Sequence, residues 1–180
     1  MYTASGLISH ARAALNGDTK YIYSCAMQPL TLDKLNEVYN NYPQYLSASR
    51  YEKAKKEYIG KNCTDCSGLI YSYYRRFRTS ESMYNNASKR QSLNRSNVVG
   101  VVPPGAVLWR DGHVGIYVGD GYEIEARGFD YGIQRRKVSE TTFTHWLTFD
   151  DINYNVREGS GFNWWILAIA AAAIVLTLKK

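Results

Sequence analysis

The sequence has few residues of the types that hold disulfide frameworks or metal sites. Among its 180 residues there are only three histidines and three cysteines, namely Cys25, Cys63 and Cys66. An odd number of cysteines does not indicate a disulfide framework and leaves at least one thiol free. A tetrahedral zinc site needs four ligands, and the few cysteines and histidines have no ligand-like spacing. We therefore expect neither a disulfide scaffold nor a metal site.

The sequence also lacks a stripe of basic residues and a leader sequence. The formal net charge is +6, but Lys and Arg are scattered rather than arranged in a stripe. This argues against nucleic-acid binding and allows only a mild preference for anionic surfaces such as wall polymers or lipid headgroups. The N-terminal segment has no basic stretch followed by an unbroken apolar one, so it is not a secretory signal. Its apolar residues predict a helix that ends at Asn16 and Gly17, with His10 on the surface.

One long apolar run is present at the C-terminal end. Residues 164–178 contain no charged side chain, and they lie between a polar linker at 157–163 and the pair Lys179 and Lys180. A helix of this length spans roughly 23 Å, which is shorter than the roughly 30 Å hydrocarbon core of a bilayer. Tryptophans at one interface and lysines that reach the other would let the run cross a thin bilayer. We predict a transmembrane helix over 164–178, with a buried core helix as the alternative.

The first half of the preceding chain has helical periodicity. Residues 29–61 contain two helical patterns on either side of NNYPQY, which predicts a hairpin of helices inserted into the domain. A further helix begins at Asp65 or Cys66. Apolar residues at helical spacing predict one buried face for this helix, formed by Cys66, Leu69, Ile70, Tyr73 and Phe77.

From Val98 onward the period of the apolar residues changes to two. The turn sequences PPG, DG, GDG and GFDYG separate four strands, which predicts an antiparallel meander. The polar stretch 79–97 has no strong periodicity and is predicted as loop with a short helix. Helices followed by one sheet are an α+β order. We therefore predict one α+β domain over 1–156, in which the helix that carries Cys66 packs on the antiparallel sheet.

The two cysteines of NCTDC differ in their local setting. A thioredoxin-like pair should follow a strand in a βαβ pattern, and no such pattern precedes Asn62. Cys66 lies in the first turn of a helix, where unpaired N–H groups and the helix dipole stabilise a thiolate. Cys63 lies in the preceding loop and lacks this advantage. Cys66 is therefore a candidate nucleophile, and the alternative is a small buried apolar cysteine.

A thiolate needs a base, and His113 at the start of a predicted strand is a candidate. Glu125 could orient its ring. If GDG is a three-residue loop, Gly115 lies opposite Glu125, and Glu125 shares a face with His113. A two-residue loop would turn Glu125 to the other side. The alternative is a solvated pair of Glu125 and Arg127 on an exposed strand face.

Together these motifs resemble the NlpC/P60 family of cell-wall cysteine peptidases. DCSGLI resembles the family's nucleophile motif, PPGAVLW resembles its PGDLVFF strand, and GHVGIYVGDG resembles its base motif; YIYS resembles a tyrosine-bearing segment near the cysteine. The resemblance covers roughly residues 4–155. Two features depart from the family pattern: Glu125 stands where His, Asn or Gln is common, and the insertion before Cys66 is long. Both resemble a phage- and prophage-borne branch of lysin-like enzymes.

The resemblance implies a papain-like α+β fold and hydrolysis of an amide in the peptidoglycan stem peptide, usually between D-glutamate and a diamino acid. In this reading Cys66 attacks the carbonyl, His113 carries the proton to the leaving amine, and Glu125 holds the ring. Tyr23 and Ser67, with the backbone N–H groups near the cysteine, orient the thiol or stabilise the oxyanion. The resemblance implies no cofactor.

Two functions other than peptidoglycan hydrolysis are compatible with some of these features. A membrane-anchored thiol acyltransferase of the lecithin-retinol acyltransferase type also has a C-terminal anchor, but it places the histidine before the cysteine. A catalytically silent wall-binding or virion structural module would keep the fold without turnover. The predicted anchor favours a membrane-associated protein whose domain faces the wall. Because no signal peptide is predicted, delivery through a holin or a virion is expected.

Overall fold

The computed structural model describes residues 1–155, in which helices come mainly before strands. The predicted linker at 157–163 and the predicted transmembrane helix at 164–178 lie outside these residues. The helices are α1 (Ala4–Asn16), α2 (Leu32–Asn41), α3 (Ala48–Glu57), α4 (Cys66–Tyr74), α5 (Ser80–Asn85) and a 3-10 turn at Val138–Glu140. The strands are β1 (Tyr2–Thr3), β2 (Lys20–Tyr21), β3 (Ala26–Pro29), β4 (Asn62–Thr64), β5 (Lys89–Ser92), β6 (Val107–Arg110), β7 (His113–Gly119), β8 (Tyr122–Gly128), β9 (Gly132–Lys137), β10 (His145–Thr148) and β11 (Ile152–Asn153).

Each of these five α-helices begins at a residue whose side chain accepts a backbone N–H of the first turn. Such N-caps satisfy donors that have no intrahelical partner, and Ser, Thr and Asp suit the position. The caps are Thr3, Thr31, Ser47, Asp65 and Thr79, in the order of the helices. Local sequence therefore fixes where each helix starts.

The central sheet is antiparallel and has the strand order β5-β10-β6-β7-β8-β9. The predicted meander is confirmed as β6 to β9. Helices α1 and α4 pack on one face of this sheet, around a core that includes Leu7, Leu69, Val114, Ile116 and Ile124. A second core covers the other face and includes Leu108, Tyr117, Phe143 and Trp146.

The inserted hairpin of α2 and α3 has its own core. Leu35 and Val38 of α2 and Ala54 of α3 pack with Cys63 of the small β2-β4-β3 sheet and with Cys25, which immediately precedes β3. This sheet leads directly into α4, so the insertion is attached to the segment that carries Cys66. Within residues 1–155, no helix is long and apolar enough to cross a membrane.

Three local predictions need correction. Strand β5 lies in the stretch 79–97 predicted as loop and short helix; its four residues KRQS are all exposed at the sheet edge, so they show no alternation. Helix α4 ends at Tyr74, because Arg75 adopts a left-handed conformation with φ 60°. Phe77 is therefore outside the helix, and Tyr74 is buried in its place.

His10 is not the surface residue that the sequence predicted. Its Nε2 forms a hydrogen bond of 2.6 Å with the hydroxyl of Ser72, which joins α1 to α4. Burial, with a smaller contribution from the charge of Arg75, lowers the pKa of His10. The residue therefore belongs to the packing of the two helices.

Candidate active site

Cys66 is the first residue of α4 and is partly exposed at the helix N-terminus. Asp65 caps this helix, because its Oδ1 accepts hydrogen bonds from the Gly68 N–H (2.5 Å) and the Ser67 hydroxyl (3.1 Å). The N–H groups of Cys66 and Ser67 lie in the first turn, where a helix offers no internal acceptor. Cys66 is thus placed at the positive end of the helix dipole.

Arg78 holds the capping carboxylate from the other side. Its guanidinium donates to both oxygens of Asp65, from Nη2 to Oδ2 at 2.9 Å and from Nη1 to Oδ1 at 3.1 Å. Nη1 also donates to Ser67 Oγ at 2.9 Å, and the Ser24 N–H donates to Asp65 Oδ2 at 2.8 Å. The cap, the first turn of α4 and the loop before β3 are therefore fixed relative to one another.

His113 is the first residue of β7 and is 8% exposed. Its Nε2 forms a hydrogen bond of 2.5 Å with Glu125 Oε2, and its ring stacks on Phe143 with centroids 5.7 Å apart. Because Glu125 occupies Nε2, Nδ1 is the ring nitrogen left to face Cys66, whose side chain is near enough to raise the pKa of His113. The structure therefore brings Cys66, His113 and Glu125 together.

The hairpin between β7 and β8 determines whether His113 and Glu125 share a face. Its loop has two residues, Asp120 and Gly121, with φ of 53° and 81°. A bulge at Val118 then shifts the strand register by one residue. The sequence predicted that only a three-residue loop would place Glu125 on the same face as His113. The structure has a two-residue loop, and the two residues still share a face because the bulge supplies the extra residue.

Charges around His113 favour its protonated form. Burial lowers the pKa of His113, but hydrogen bonds and charges from Cys66 and Glu125 outweigh this effect and raise it to about 9. Burial also opposes the ionisation of Glu125, yet hydrogen bonds from His113 and from Arg136 Nη1 (3.0 Å) hold the pKa of Glu125 below its usual value. At neutral pH the site therefore holds an imidazolium beside an ionised carboxylate.

Glu123 adds a second carboxyl group to the same face of β8, two residues before Glu125. It is fully buried, and neither oxygen has a hydrogen-bond partner among residues 1–155. Burial first, and then the charge of Glu125, raises the pKa of Glu123 to about 9. The group fits because residue 115 is glycine; a Cβ on Gly115 would lie 2.9 Å from Glu123 Oε2.

The other two cysteines are fully buried. The Cys63 thiol donates to the Gln28 carbonyl at 3.3 Å, and a hydrogen bond with Cys25, together with burial, raises the pKa of Cys63. The Cys25 carbonyl oxygen lies so near α4 that a Cβ on Gly68 would approach it to 2.0 Å, so only glycine permits this contact. The CxxC pair is thus divided between a core thiol and a thiol at the site.

The sequence matches the model of one protein family. The match is to the NlpC/P60 family and spans residues 47–150, which is more than half of the chain and includes Cys66, His113 and Glu125. This chain belongs to the NlpC/P60 family. A search of curated proteins gives no match.

Solved structures with NlpC/P60 folds are similar to this domain. The peptidoglycan hydrolase RipB from Mycobacterium tuberculosis matches with a TM-score of 0.50 and 18% identity, over 81% of this chain and 63% of RipB. NlpC1 from Trichomonas vaginalis gives 0.49 and 17% identity, over 81% of this chain and 43% of NlpC1. The chain thus spans less than two thirds of either protein, and the RipB match supports the α+β fold.

A cleft of about 610 Å³ opens beside Cys66 in this NlpC/P60 domain. One side, here called the tyrosine wall, consists of Tyr21, Tyr23, Tyr42 and Tyr45. The other lining residues include Arg78 and the turn before β7. The candidate nucleophile therefore lies in a depression large enough for a small-molecule ligand or a short peptide.

The predicted oxyanion residues are placed differently from one another. Tyr23 lies in the tyrosine wall, whereas the Ser67 hydroxyl is already bound to Asp65 and Arg78. Tyr21, which the sequence analysis missed, is the tyrosine on which the charge of Cys66 acts; burial and then this charge raise its pKa. Tyr21 therefore lines the cleft of the NlpC/P60 site close to Cys66, and the role predicted for Tyr23 stays a prediction.

Two arginines of the NlpC/P60 site were also missed. Arg136 lies opposite Glu123 in the register of the β8–β9 hairpin, and its side chain binds Glu125. The basic run QRRK opposite the acidic strand YEIEAR is a signal that could have found it. Arg78 lies in the loop after α4, and no local pattern links it to Asp65. Only the folded chain brings this pair together.

Proposed function

We propose that this domain hydrolyses an amide bond in the stem peptide of peptidoglycan through a thiol mechanism. The observation that carries the proposal is the position of His113 between Cys66 and Glu125 at the N-terminus of α4. Membership of the NlpC/P60 family supports it, as does the fold shared with RipB, which is itself a peptidoglycan hydrolase. The bond between D-glutamate and the diamino acid is the proposed target, because the family resemblance implies it.

In the acylation step the Cys66 thiolate attacks the carbonyl carbon and forms a C–S bond. The oxyanion is stabilised by the N–H groups of the first turn of α4 and by a phenol of Tyr21 or Tyr23. The His113 imidazolium transfers its proton to the leaving nitrogen as the C–N bond breaks. The products of this step are an amine, a thioester on Cys66 and a neutral imidazole.

In the deacylation step water is the nucleophile. The neutral imidazole of His113 accepts a proton from water as the oxygen attacks the thioester carbonyl. The C–S bond then breaks, which releases a carboxylic acid that loses its remaining proton to solvent and restores the thiolate-imidazolium pair. Glu125 keeps the ring oriented through both steps because it accepts the Nε2 hydrogen bond, and Arg136 holds Glu125 in place.

The test is mass spectrometry of purified sacculi digested with wild type, Cys66→Ala and Cys63→Ala. We expect the wild type to release fragments with one newly cleaved amide, and Cys66→Ala to lose at least about 10³-fold of the rate, as for other nucleophile deletions. Cys63→Ala is the matched control, because it removes a thiol three residues away that does not line the cleft. Equal losses in two folded variants would contradict Cys66 as the single reacting thiol and would support a functional CxxC pair instead.

We further propose that the enzyme is a phage- or prophage-type lysin held at a membrane by residues 164–178. The support is the uncharged run with tryptophans at one end and lysines at the other. Flotation with liposomes of neutral phospholipid tests the anchor: the full chain should rise with the vesicles, and a chain ending at residue 160 should not. Flotation of both chains would assign membrane binding to the domain instead.

A further inference from the structure

The turn between α2 and α3 builds the outer part of the tyrosine wall. The Tyr45 N–H donates to the Tyr42 carbonyl at 2.9 Å, which closes a four-residue turn. Pro43 occupies its second position, where a fixed φ favours the turn. Leu46 follows and is 2% exposed, so it anchors the turn in the core of the insertion. Tyr42 and Tyr45 are therefore held in place before any ligand binds.

Three rings of the wall, those of Tyr23, Tyr42 and Tyr45, form a continuous aromatic surface. Tyr23 and Tyr45 stack with centroids 4.0 Å apart and 15° between their planes, and Tyr42 lies 4.9 Å from Tyr23. Tyr45 is 47% exposed although its neighbour Leu46 is buried. Because Tyr23 covers one side of the Tyr45 ring, its exposed apolar surface is on the side that does not contact Tyr23. A large aromatic surface left open in a cleft indicates a binding site.

The chemistry of peptidoglycan restricts what this surface can bind. Stem-peptide side chains are methyl groups, carboxylates and amines, none of which presents a broad apolar face. A pyranose ring of the glycan does present one, because its axial C–H bonds lie on a face that packs against an aromatic ring. Its hydroxyl groups can also exchange hydrogen bonds with tyrosine phenols.

The position of the wall agrees with a sugar at the acyl end of the substrate. The leaving amine must approach His113, so the acyl portion extends away from it. Tyr23 precedes Ser24, whose N–H binds Asp65, and the wall therefore adjoins the capping residue before Cys66. The muramyl sugar is joined to the amino end of the stem peptide, so it lies on the acyl side of the proposed bond. Cys66 and Tyr45 line the same cleft, so a single substrate can reach both.

We propose that Tyr23, Tyr42 and Tyr45 form a subsite for the muramyl sugar ring, so that the enzyme prefers stem peptides still attached to the glycan over free stem peptides. This inference rests on the proposed hydrolase function and adds its substrate class. The inserted helical hairpin is then a specificity element, because it supplies two of the three rings.

Binding to the inactive Cys66→Ala protein tests the subsite separately from catalysis. Calorimetry compares N-acetylmuramyl-L-alanyl-D-isoglutamine with N-acetyl-L-alanyl-D-isoglutamine, which lacks the sugar and carries no amine charge. We expect the muramyl ligand to bind about 10-fold more tightly, or roughly 1.4 kcal/mol. Adding Tyr45→Ala should remove most of this preference, whereas Tyr45→Phe should keep it, because the ring face remains.

Tyr131→Ala is the matched control, because Tyr131 is 55% exposed and does not line this cleft. Thermal unfolding of each variant confirms that it is folded. Equal affinity of Cys66→Ala for the two ligands, or an equal loss of both affinities with Tyr45→Ala, overturns the sugar subsite. A sugar preference in binding without hydrolysis of sacculi by the wild type would keep the subsite and refute the hydrolase proposal.

Discussion

Two carboxyl groups on one strand, Glu123 and Glu125, have opposite ionisation states at neutral pH. Both are buried, so the cost of desolvating a charge acts on each. Glu125 offsets this cost with hydrogen bonds from His113 and Arg136, whereas Glu123 has no hydrogen-bond partner in the described part of the chain. At the scale of single residues, the ionisation state of a buried carboxyl group is therefore determined by its hydrogen-bond partners rather than by its residue type.

The pH dependence of hydrolysis should follow His113. Its pKa of about 9 means that the imidazolium, which donates to the leaving amine, is present below that pH and lost above it. We expect kcat/KM, which reports ionisations of the free enzyme, to fall on an alkaline limb near pH 9. Glu125→Gln should move this limb to lower pH, because a charge that raises the pKa of His113 is removed.

Glu125→Gln should also lower kcat about 10-fold, since a charged hydrogen bond exceeds a neutral one by roughly 1.4 kcal/mol. Stopped assays from pH 5 to pH 10 measure both effects. Glu52→Gln, at an exposed position of α3, is the control. An alkaline limb that does not move in Glu125→Gln would remove Glu125 from the control of His113.

The unfolding free energy should depend on pH through Glu123. Its pKa is about 9 in the folded protein against an ordinary value of 4.5. The protonated carboxyl therefore stabilises the fold fully below about pH 4.5, and this contribution is lost as the pH rises toward 9. Glu123→Gln does not titrate, so it should reduce the pH slope between pH 5 and pH 8 by roughly 1.4 kcal/mol per unit.

Urea unfolding at several pH values measures this slope for the Glu123 variant. The slope, rather than the absolute stability, is the readout, because an amide in the same buried position has its own packing cost. Glu52→Gln should leave the slope unchanged. Identical slopes for wild type and Glu123→Gln would mean that Glu123 is ionised in the folded protein.

At the scale of elements, two short segments align the site. The cap at Asp65 sets the first turn of α4 and therefore the direction of its N–H groups. The bulge at Val118 places Glu125 on the face of His113. The cap and the bulge therefore determine the orientation of groups in the candidate site, although neither contacts the proposed substrate carbonyl.

Removal of the Asp65 cap should cost more than removal of an ordinary cap. Asp65→Ala loses the hydrogen bond to Gly68 and leaves Arg78 without its carboxylate, so we expect a loss of roughly 2 to 3 kcal/mol. Thr31→Ala removes the cap of α2, which has no arginine partner, and should cost about 1 kcal/mol. Asp65→Asn, which keeps an acceptor, should fall between them. Urea unfolding measures all three, and equal costs for the two alanine variants would show that Arg78 adds nothing.

At the scale of the whole molecule, the described residues form three hydrophobic cores. One lies between the helices and the sheet, one covers the opposite face of the sheet, and one belongs to the inserted hairpin. Parallel pairing of β1 with β11 joins residues 2–3 to 152–153. The chain therefore closes on itself before residue 155, and the cleft, Cys66, His113 and Glu125 all lie within this closed unit.

Deletion of residues 161–180 should leave a folded and active domain. All the residues that line the cleft or bind His113 lie before residue 155, and the linker at 157–163 is polar. We expect the truncated chain to keep the cooperative thermal transition and the sacculus-digesting activity of the full chain, within about twofold. Size-exclusion chromatography and the digestion assay check this. An aggregated truncation would indicate that the apolar run is part of the core.

The sequence by itself determined the start of α4, the meander and the residues of the candidate site. N-caps, turn residues and a period of two act over a few neighbouring residues, so they can be recognised without the fold. The difference between Cys63 and Cys66 is also local, because only one of them follows a capping aspartate. Strand β5 was not predicted, because its four residues are all exposed at a sheet edge and show no alternation of apolar and polar side chains.

Only the tertiary structure decided the partners of these residues. Arg78 meets Asp65 through a loop, Arg136 meets Glu125 across a neighbouring strand, and Tyr42 and Tyr45 reach the cleft from an inserted hairpin. The bulge at Val118 shows the same limit, since a loop sequence allows more than one register. Contacts between distant segments depend on the packing of the whole chain, whereas sequence periodicity reports only which face of an element is buried.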